Sequence, residues 1–445
     1  MQIVERARSN IFSSPNIYRL ITAASFIFFV IMVMAIPARM SGASPWAYYY
    51  AVKNFSQGKL IISDRELMSD AYDAMQQGGI LMQYVKVGDN RWAVEKAPGY
   101  IFYMVPFYKL GIPRWGNIVL AAGMIAVLYL LLKRIRDELA ACLGSLLILF
   151  TPMALIMANR AYMDTYASLA FAAMGGGLYF YYLLQKDAWR SIKQGVVIFF
   201  AFLLIGWSVV VRESNLLIAI VLALHYLVMR FRSLRNQEKA WLRIELPAVV
   251  LGAGLTAAVM LIYNNIVFGA PLSYGYQYSL FPVKFAFQYL GQTDAAGHSI
   301  PLDIIMNNVK VLPLPLLEGF PVLVLFIPTI IFLTAWKIIY GKKPSIGRWA
   351  GLEREISRGT LVTMAGIFLS VFALYYMYEF TATSLKEGAT FFRYSRYYLP
   401  GLFPMAVICA PVLARLPKAF IIPIMSLIVT TGIVFYLQTA LDINA

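Results

Sequence analysis

The sequence predicts an all-α polytopic membrane protein of about eleven transmembrane helices with a first extracytoplasmic loop carrying amphipathic juxtamembrane helices, and three observations carry the membrane prediction. Of its 445 residues, 60% are hydrophobic and only 13% are charged, against about 25% charged in a soluble domain. The apolar residues gather into runs of the length that spans a hydrocarbon core, about 20 residues of helix. The basic residues behind the net charge of +16 cluster between those runs, as residues flanking membrane segments do. That placement accounts for the charge without nucleic acid, and no nucleic-acid partner is expected.

Taken in order, the spans run near Leu20 to Ile36, Trp115 to Leu132, Ala140 to Met157, Thr165 to Leu184, Gly195 to Val211 and Asn215 to Met229. They continue near Leu246 to Ile266, Phe320 to Trp336, Leu361 to Tyr378, Leu399 to Leu413 and Phe420 to Leu437. The stretch Tyr100 to Leu110 is apolar but short and carries Pro106, so it suits an interfacial or re-entrant helix. With that stretch not crossing and the N-terminus cytoplasmic, the short basic loops all fall inside. They hold Lys133, Arg134 and Arg136; Lys186, Arg190 and Lys193; Arg230, Arg232, Arg235, Lys239 and Arg243; Lys342, Lys343 and Arg348; and Arg415 with Lys418. The C-terminus then ends outside. Arg6 and Arg8 precede a first span with no small-residue cleavage site, which reads as a retained anchor in a cell (inner or plasma) membrane.

Residues 1–445 read as a single transmembrane domain with two long outer loops, 37–99 and 267–319. In the first, Pro45 to Phe55 and Arg65 to Gln76 have the mixed helical spacing of surface-lying amphipathic helices. Tyr84 to Glu95, with Gly88-Asp89-Asn90 between short alternating runs, reads as a hairpin. An acceptor sequon, Asn54-Phe55-Ser56, lies in the same loop. Gly175 to Gly177 are assigned to close helix packing.

Ionisable groups beside spanning helices are costly, about 2.5 to 3.5 kcal/mol each at the helix centre, so they are functional candidates. Asp164, at the outer turn Asn159 to Asp164, suits a general base or metal ligand; capping the next helix or pairing with Arg160 is the structural alternative. Arg212 and Glu213 share another outer turn, as a site or as a helix-end cap. In Glu95-Lys96-Ala97-Pro98-Gly99 the lysine sits at lipid-phosphate height beside a carboxylate, a pairing that ordinary snorkelling also explains. The run Phe391 to Pro400 places Arg393 and Arg396 among aromatic residues, suited to phosphate oxygens and sugar faces or to an aromatic belt.

The sequence has two histidines, His225 and His298, and two cysteines, Cys142 and Cys409, both cysteines inside apolar runs. No histidine cluster for zinc, no Ser-His-Asp system and no disulfide framework follow from these. A divalent cation held by carboxylates stays open. Lys96, Arg160, Arg212, Arg393 and Arg396 all fall on the outer side, a set suited to a lipid-linked phosphate or diphosphate. An ordinary secondary transporter would instead gather charges or broken helices at the bilayer midplane.

These stretches resemble the GT-C superfamily, polytopic glycosyltransferases that take a sugar from a polyprenyl-phosphate donor on the outer face of the membrane. Ser44 to Gly58 is similar to the family's first outer loop, and Glu95 to Gly99 to its Lys-Pro-Pro-Gly-like turn. Tyr263 to Tyr276 is similar to its Asn, Phe-Gly-x-Pro, Gly-Tyr stretch, and Arg393 to Pro400 to its Arg-Tyr and Leu-Pro signature. By resemblance to aminoarabinose transferases and protein O-mannosyltransferases, Lys96 meets the lipid phosphate, Glu95 belongs to the same site, and Asp164 matches the acidic residue after the third crossing. Asp164 and Glu95 are the catalytic candidates, and Tyr48, Tyr49 and Tyr394 those for substrate contact. The resemblance implies a polyprenyl-phosphate-linked sugar donor and a glycan, lipid or protein acceptor. One departure stands out: the family's acidic pair after the first span falls at Ala43-Ser44, where there is no carboxylate. Asp64, Glu66, Asp70 and Asp73 follow in the same loop and read as solvated helix-surface charges. A non-catalytic lipid-linked-sugar binder or transporter that kept the fold is the alternative function.

Overall fold

The computed structural model describes residues 15–36, 40, 42–185, 192–235, 241–279, 284–294, 296–339, 355–379 and 395–441. Every expected span is helical over most of its length. Among the described residues, eight helices are long and apolar enough to cross a membrane, or up to ten if each of two bent pairs is one span. The first five long helical elements after the N-terminus show why the count departs from eleven. Helix α1 (Pro15–Ala35), α5 (Pro113–Ile135) and α9 (Ile192–Val211) are plain spans. The third expected span is a pair, α6 (Glu138–Leu149) and α7 (Pro152–Asn159), bent by 61°. Helix α8 (Asp164–Leu183) is not among the apolar spans, because it is rich in Gly and Tyr and is packed against α5 and α9, so protein rather than lipid solvates most of it. Gly175 there lets α8 touch the α9 backbone: a Cβ would lie 2.6 Å from the Ile205 nitrogen.

The later spans are α10 (Leu216–Arg235), α11 (Trp241–Phe268), the shorter α14 (Leu323–Ile339), α15 (Arg358–Tyr376), α16 (Leu402–Leu413, entered through a 3₁₀ turn Arg396–Gly401) and α17 (Lys418–Leu441). A second bent pair, α12 (Ile300–Val311) and α13 (Pro313–Gly319), occupies part of the stretch read as the second outer loop. Glu245, fully buried on α11, accepts from both Arg230 nitrogens at 2.5 Å and from the Tyr182 hydroxyl, so Arg230 serves as a lock between helices.

The region after α1 forms α2 (Ala43–Ser56), α3 (Asp64–Gln76) and an antiparallel hairpin, β1 (Tyr84–Gly88) with β2 (Arg91–Val94). Asn90 turns the hairpin with φ of 51°. Ser63 and Glu66 form a capping box at the start of α3. The expectation of solvated charges fails for Asp70, which is buried and accepts from Lys53 Nζ at 3.0 Å and Asn54 Nδ2 at 2.9 Å, stitching α3 to α2. Asp73 accepts from the Tyr50 hydroxyl at 2.8 Å, and Asp64 from the Trp92 ring nitrogen. The sequon asparagine is this same buried Asn54, spent on packing.

The short apolar stretch is α4 (Pro98–Lys109), 12 residues and so about 18 Å, too short to cross. It packs against α2, α5 and α9. Buried amides satisfy backbone carbonyls where helices end inside the protein. Asn117 Nδ2 donates to the carbonyls of Ala158 and Arg160, each at 3.1 Å. The Tyr100 hydroxyl donates to the Ala161 carbonyl at 2.5 Å, fastening α4 to the turn that presents Asp164.

Candidate active site

Two glycines bring distant segments into backbone contact. At Gly99, a Cβ would lie 2.6 Å from the Val210 carbonyl carbon and 2.7 Å from the Val211 nitrogen. The turn from β2 into α4 therefore lies on the end of α9, directly before Arg212. At Gly275, a Cβ would lie 2.3 Å from the Glu95 carbonyl oxygen. The 3₁₀ turn Gly275–Gln277 is thereby pressed onto the Glu95 backbone, and Tyr276 is set beside Lys96. No larger residue fits either contact without moving backbone.

Lys96 and Glu95 are 7% and 5% exposed. Lys96 Nζ lies 3.0 Å from Glu95 Oε1, donates to the Tyr276 hydroxyl at 3.1 Å, and stands 4.9 Å from the Tyr276 ring centre. Burial works to lower the ammonium's pKa, but Tyr276 and Glu95 outweigh it and hold it above the ordinary lysine value. Burial pushes the Tyr276 phenol up to about 12. The Lys96 ammonium is thus buried between a carboxylate and a phenol that both favour its charged form.

Arg212 forms the second cationic centre. Its Nη1 lies 3.8 Å from Asp164 Oδ1 and 3.3 Å from the Thr165 hydroxyl, to which it donates. Its guanidinium stands 4.8 Å from the Tyr397 ring centre and 5.7 Å from that of Tyr375. Tyr375 and Tyr397 stack at 5.1 Å, and the Tyr375 hydroxyl donates to Ser214 Oγ at 2.8 Å. Arg396 lies 4.9 Å from the Tyr397 ring centre, with Nη2 3.2 Å from its hydroxyl.

The two centres form one electrostatic cluster. Arg212 interacts with both Asp164 and Tyr276, and Glu213 with Asp164, Lys96 and Arg212. Tyr48 is fully buried and interacts with Asp164, Tyr276, Arg212 and Glu213; burial first, then Asp164, raises its phenol well above the usual value. The charges of Lys96, Asp164, Arg212 and Tyr48 therefore act on one another or on shared neighbours, with Glu95 paired to Lys96 and Arg396 joined to Arg212 through the Tyr397 ring. Tyr49, one helical step on, packs edge-on against Tyr162 at 5.2 Å and Tyr108 at 6.0 Å. Arg160 is the C-cap of α7, its carbonyl engaged by Asn117. Arg393 and Tyr394 lie outside the described residues.

Sequence reasoning gave no role to Tyr276, Tyr375 or Tyr397 and left Glu213, with Arg212, as a site or a helix-end cap. The structure shows no side-chain cap from Arg212, the N-cap of the 3₁₀ turn Glu213–Asn215. The Gly-Tyr pair at 275–276 was the available signal. His298 does have carboxylate company: its ligand atom and those of Asp294 and Asp303, all exposed, lie within 4.8 Å of one another, a set that could hold a metal ion.

The chain is a helical protein with eight to ten candidate membrane spans among the described residues, and its fold resembles that of GT-C glycosyltransferases. Its overall fold matches the apo oligosaccharyltransferase of Archaeoglobus fulgidus with a TM-score of 0.56 at 10% identity, covering 95% of this chain and 55% of that one. It matches ArnT from Cupriavidus metallidurans bound to undecaprenyl phosphate with a TM-score of 0.53 at 14% identity, covering 97% of this chain and 67% of that one. The archaeal enzyme AglB in complex with an inhibitory peptide and a dolichol-phosphate matches at 0.54 and 10% identity, with 95% and 55% covered. The chain spans about half the length of the archaeal enzyme. No family model and no curated protein sequence matches it.

Proposed function

We propose that the protein is a membrane glycosyltransferase that moves a sugar from a polyprenyl-phosphate donor to a glycan, lipid or protein acceptor on the extracytoplasmic face. The observation that carries this reading is that two cations, the buried Lys96 and the half-buried Arg212, act on the same group of three carboxylates and neighbouring tyrosines. Lys96 and Arg212 take the donor phosphate. A site carboxylate, with Asp164 and Glu95 the candidates from sequence, accepts the acceptor's hydroxyl proton. The acceptor oxygen attacks the anomeric carbon, the carbon–oxygen bond to phosphate breaks, and its electron pair leaves on the phosphate, with inversion at the sugar. The basic loops support a cytoplasmic N-terminus and an extracytoplasmic site in the cell membrane. Asp294, His298 and Asp303 are the ligand types for a divalent cation, and loss of turnover on chelation is the result expected if one is required.

The test uses purified protein in nanodiscs and radiolabelled undecaprenyl-phosphate sugars, comparing wild type with Asp164→Asn, Glu95→Gln and Lys96→Ala. Unchanged transfer in all three variants refutes the site. Donor binding without transfer by the wild type selects the non-catalytic reading, which Ala43-Ser44 favours. Labelling of the segment from Arg230 to Arg243 by an impermeant reagent on intact cells refutes the orientation.

A further inference from the structure

Resting on that reading, we infer that Glu213 is the catalytic carboxylate, touching the acceptor hydroxyl and taking its proton. The argument is one of availability. Of the three carboxylates in the cluster, Glu95 is held by Lys96 at 3.0 Å and Asp164 faces Arg212 at 3.8 Å. Among the described residues the Glu213 carboxylate has no ion pair, and its hydrogen bond is to its own backbone N–H. It is only partly exposed, so it is a carboxylate kept inside the site that feels the charges of Lys96 and Arg212 yet, among the described residues, is in direct contact with neither. Such an arrangement is unfavourable unless a ligand completes it.

Its position fits the task. The backbone contact of Gly99 with Val210 and Val211 fixes the turn that carries it, and Ser214, the next residue, is tied to Tyr375. The groups whose charge acts on Glu213, or on which its charge acts, are Lys96 from the turn before α4, Asp164 from α8, the adjacent Arg212, Tyr48 from α2, Tyr263 from α11 and Tyr276. Two cations positioned for the phosphate thus flank the carboxylate, which places proton acceptance beside departure of the leaving group. Glu95 and Asp164 are then positioning residues, orienting Lys96 and Arg212. Glu213 also answers the absence of acidic residues at Ala43-Ser44, since it supplies a second carboxylate beside Asp164 from another part of the chain. In the step, the acceptor O–H bond breaks with its proton passing to Glu213 Oε, the oxygen bonds the anomeric carbon, and the phosphate leaves with the electron pair.

The experiment uses the full chain in nanodiscs, undecaprenyl phosphate as the binding probe, and radiolabelled undecaprenyl-phosphate glucose, mannose and arabinose as donors, with release of undecaprenyl phosphate as the readout. Glu213→Gln is expected to bind undecaprenyl phosphate within about threefold of wild type while turnover falls by roughly 10² to 10⁴. The acid limb of the pH–rate profile disappears in Glu213→Gln and persists, at lower rate, in Asp164→Asn; Glu213→Asp recovers part of the rate. Turnover by Glu213→Gln within about threefold of wild type overturns the inference. So does joint loss of binding and thermal stability in both Glu213→Gln and Glu213→Asp, which marks a structural residue. Wild-type protein that does not bind undecaprenyl phosphate refutes the donor reading itself, and the inference with it; wild-type protein that binds but releases nothing from any donor selects the non-catalytic reading and overturns the inference with the catalytic one, whereas wild-type turnover in Glu213→Gln overturns the inference alone.

Discussion

Gly275→Ala tests the construction of the site without touching an ionisable group. The added Cβ would stand 2.3 Å from the Glu95 carbonyl oxygen and 2.4 Å from its Cα. Ordinary contact begins near 3.4 Å, so one backbone must retreat by about 1 Å, and neither is a flexible side-chain end. That shift lengthens the Lys96–Tyr276 hydrogen bond from 3.1 Å to about 4 Å, beyond hydrogen-bond range. A hydrogen bond to a charged group contributes about 1.5 to 3 kcal/mol, so loss of this support for Lys96 weakens affinity for undecaprenyl phosphate by about 10- to 150-fold. Overpacking lowers stability by about 1 to 3 kcal/mol. Ligand titration and thermal unfolding in nanodiscs read the two effects separately. Gly254→Ala is the control: its Cβ meets nothing within 4 Å, and it is expected to leave affinity unchanged. Wild-type affinity and stability in Gly275→Ala would show that the Gly275 and Glu95 backbones are not in contact, and the account of how Tyr276 reaches Lys96 would fail.

Lys96→Met leaves the 5% exposed Glu95 carboxylate without its cation, a loss of about 3 to 5 kcal/mol; adding Glu95→Gln restores most of the unfolding temperature but none of the undecaprenyl-phosphate binding. Asp70→Asn removes the acceptor of Lys53, and the expected loosening, about 1 to 3 kcal/mol, is local, seen as faster hydrogen exchange in α3 with the global unfolding temperature little changed. Lys59 and Ser63 lower the Glu66 carboxyl from 4.5 to about 2. Because the folded value is the lower one, its stabilisation of the start of α3 is complete above about pH 4.5 and fades as pH falls through about 2. Hydrogen exchange across α3 follows this, and Glu66→Gln, which keeps a residue able to complete the capping box, removes the pH dependence.

The membrane fold was legible because burial in lipid demands long apolar runs, and such runs survive any uncertainty at their ends. Helix α8 was read as a span although protein surrounds it, since its Ala, Leu and Phe serve both environments, while its Gly and Tyr keep it less apolar than the other spans. The bent pair α12 and α13 was missed because its two halves are each short and punctuated by Pro301, Pro313 and Pro315. In the site, Lys96 and Asp164 were legible because each is a charge next to an apolar run, where charge is costly. Their partners were not. Tyr276 lies 180 positions from Lys96, and nothing in either local sequence encodes that meeting except Gly275, whose missing side chain permits it. Asp70 shows the converse, an acidic residue among polar neighbours on an amphipathic helix that folds inward onto Lys53.

Charge conservation explains why a carboxylate left unclaimed is useful where Glu213 stands. Lys96, Arg212 and Arg396 are matched in number by Glu95, Asp164 and Glu213, all linked through Tyr276, Tyr397 and the direct pairs. A phosphodiester donor adds about one negative charge, and the phosphate monoester left after transfer approaches two. Were the proton lost to a distant base, the enclosed site would gain a full negative charge at the moment of bond cleavage, with little water to screen it. A proton accepted by Glu213 neutralises one carboxylate as the phosphate gains its charge, so the site's total is unchanged. The same bookkeeping predicts the order of release: with Glu213 protonated the phosphate is held more tightly, and loss of that proton to solvent restores the repulsion that lets undecaprenyl phosphate go. Compared with Glu213→Gln, in which only the phosphate's own ionisation remains, undecaprenyl-phosphate affinity in the wild type should therefore weaken as pH rises, and an equal slope in both would remove Glu213 from the proton's path.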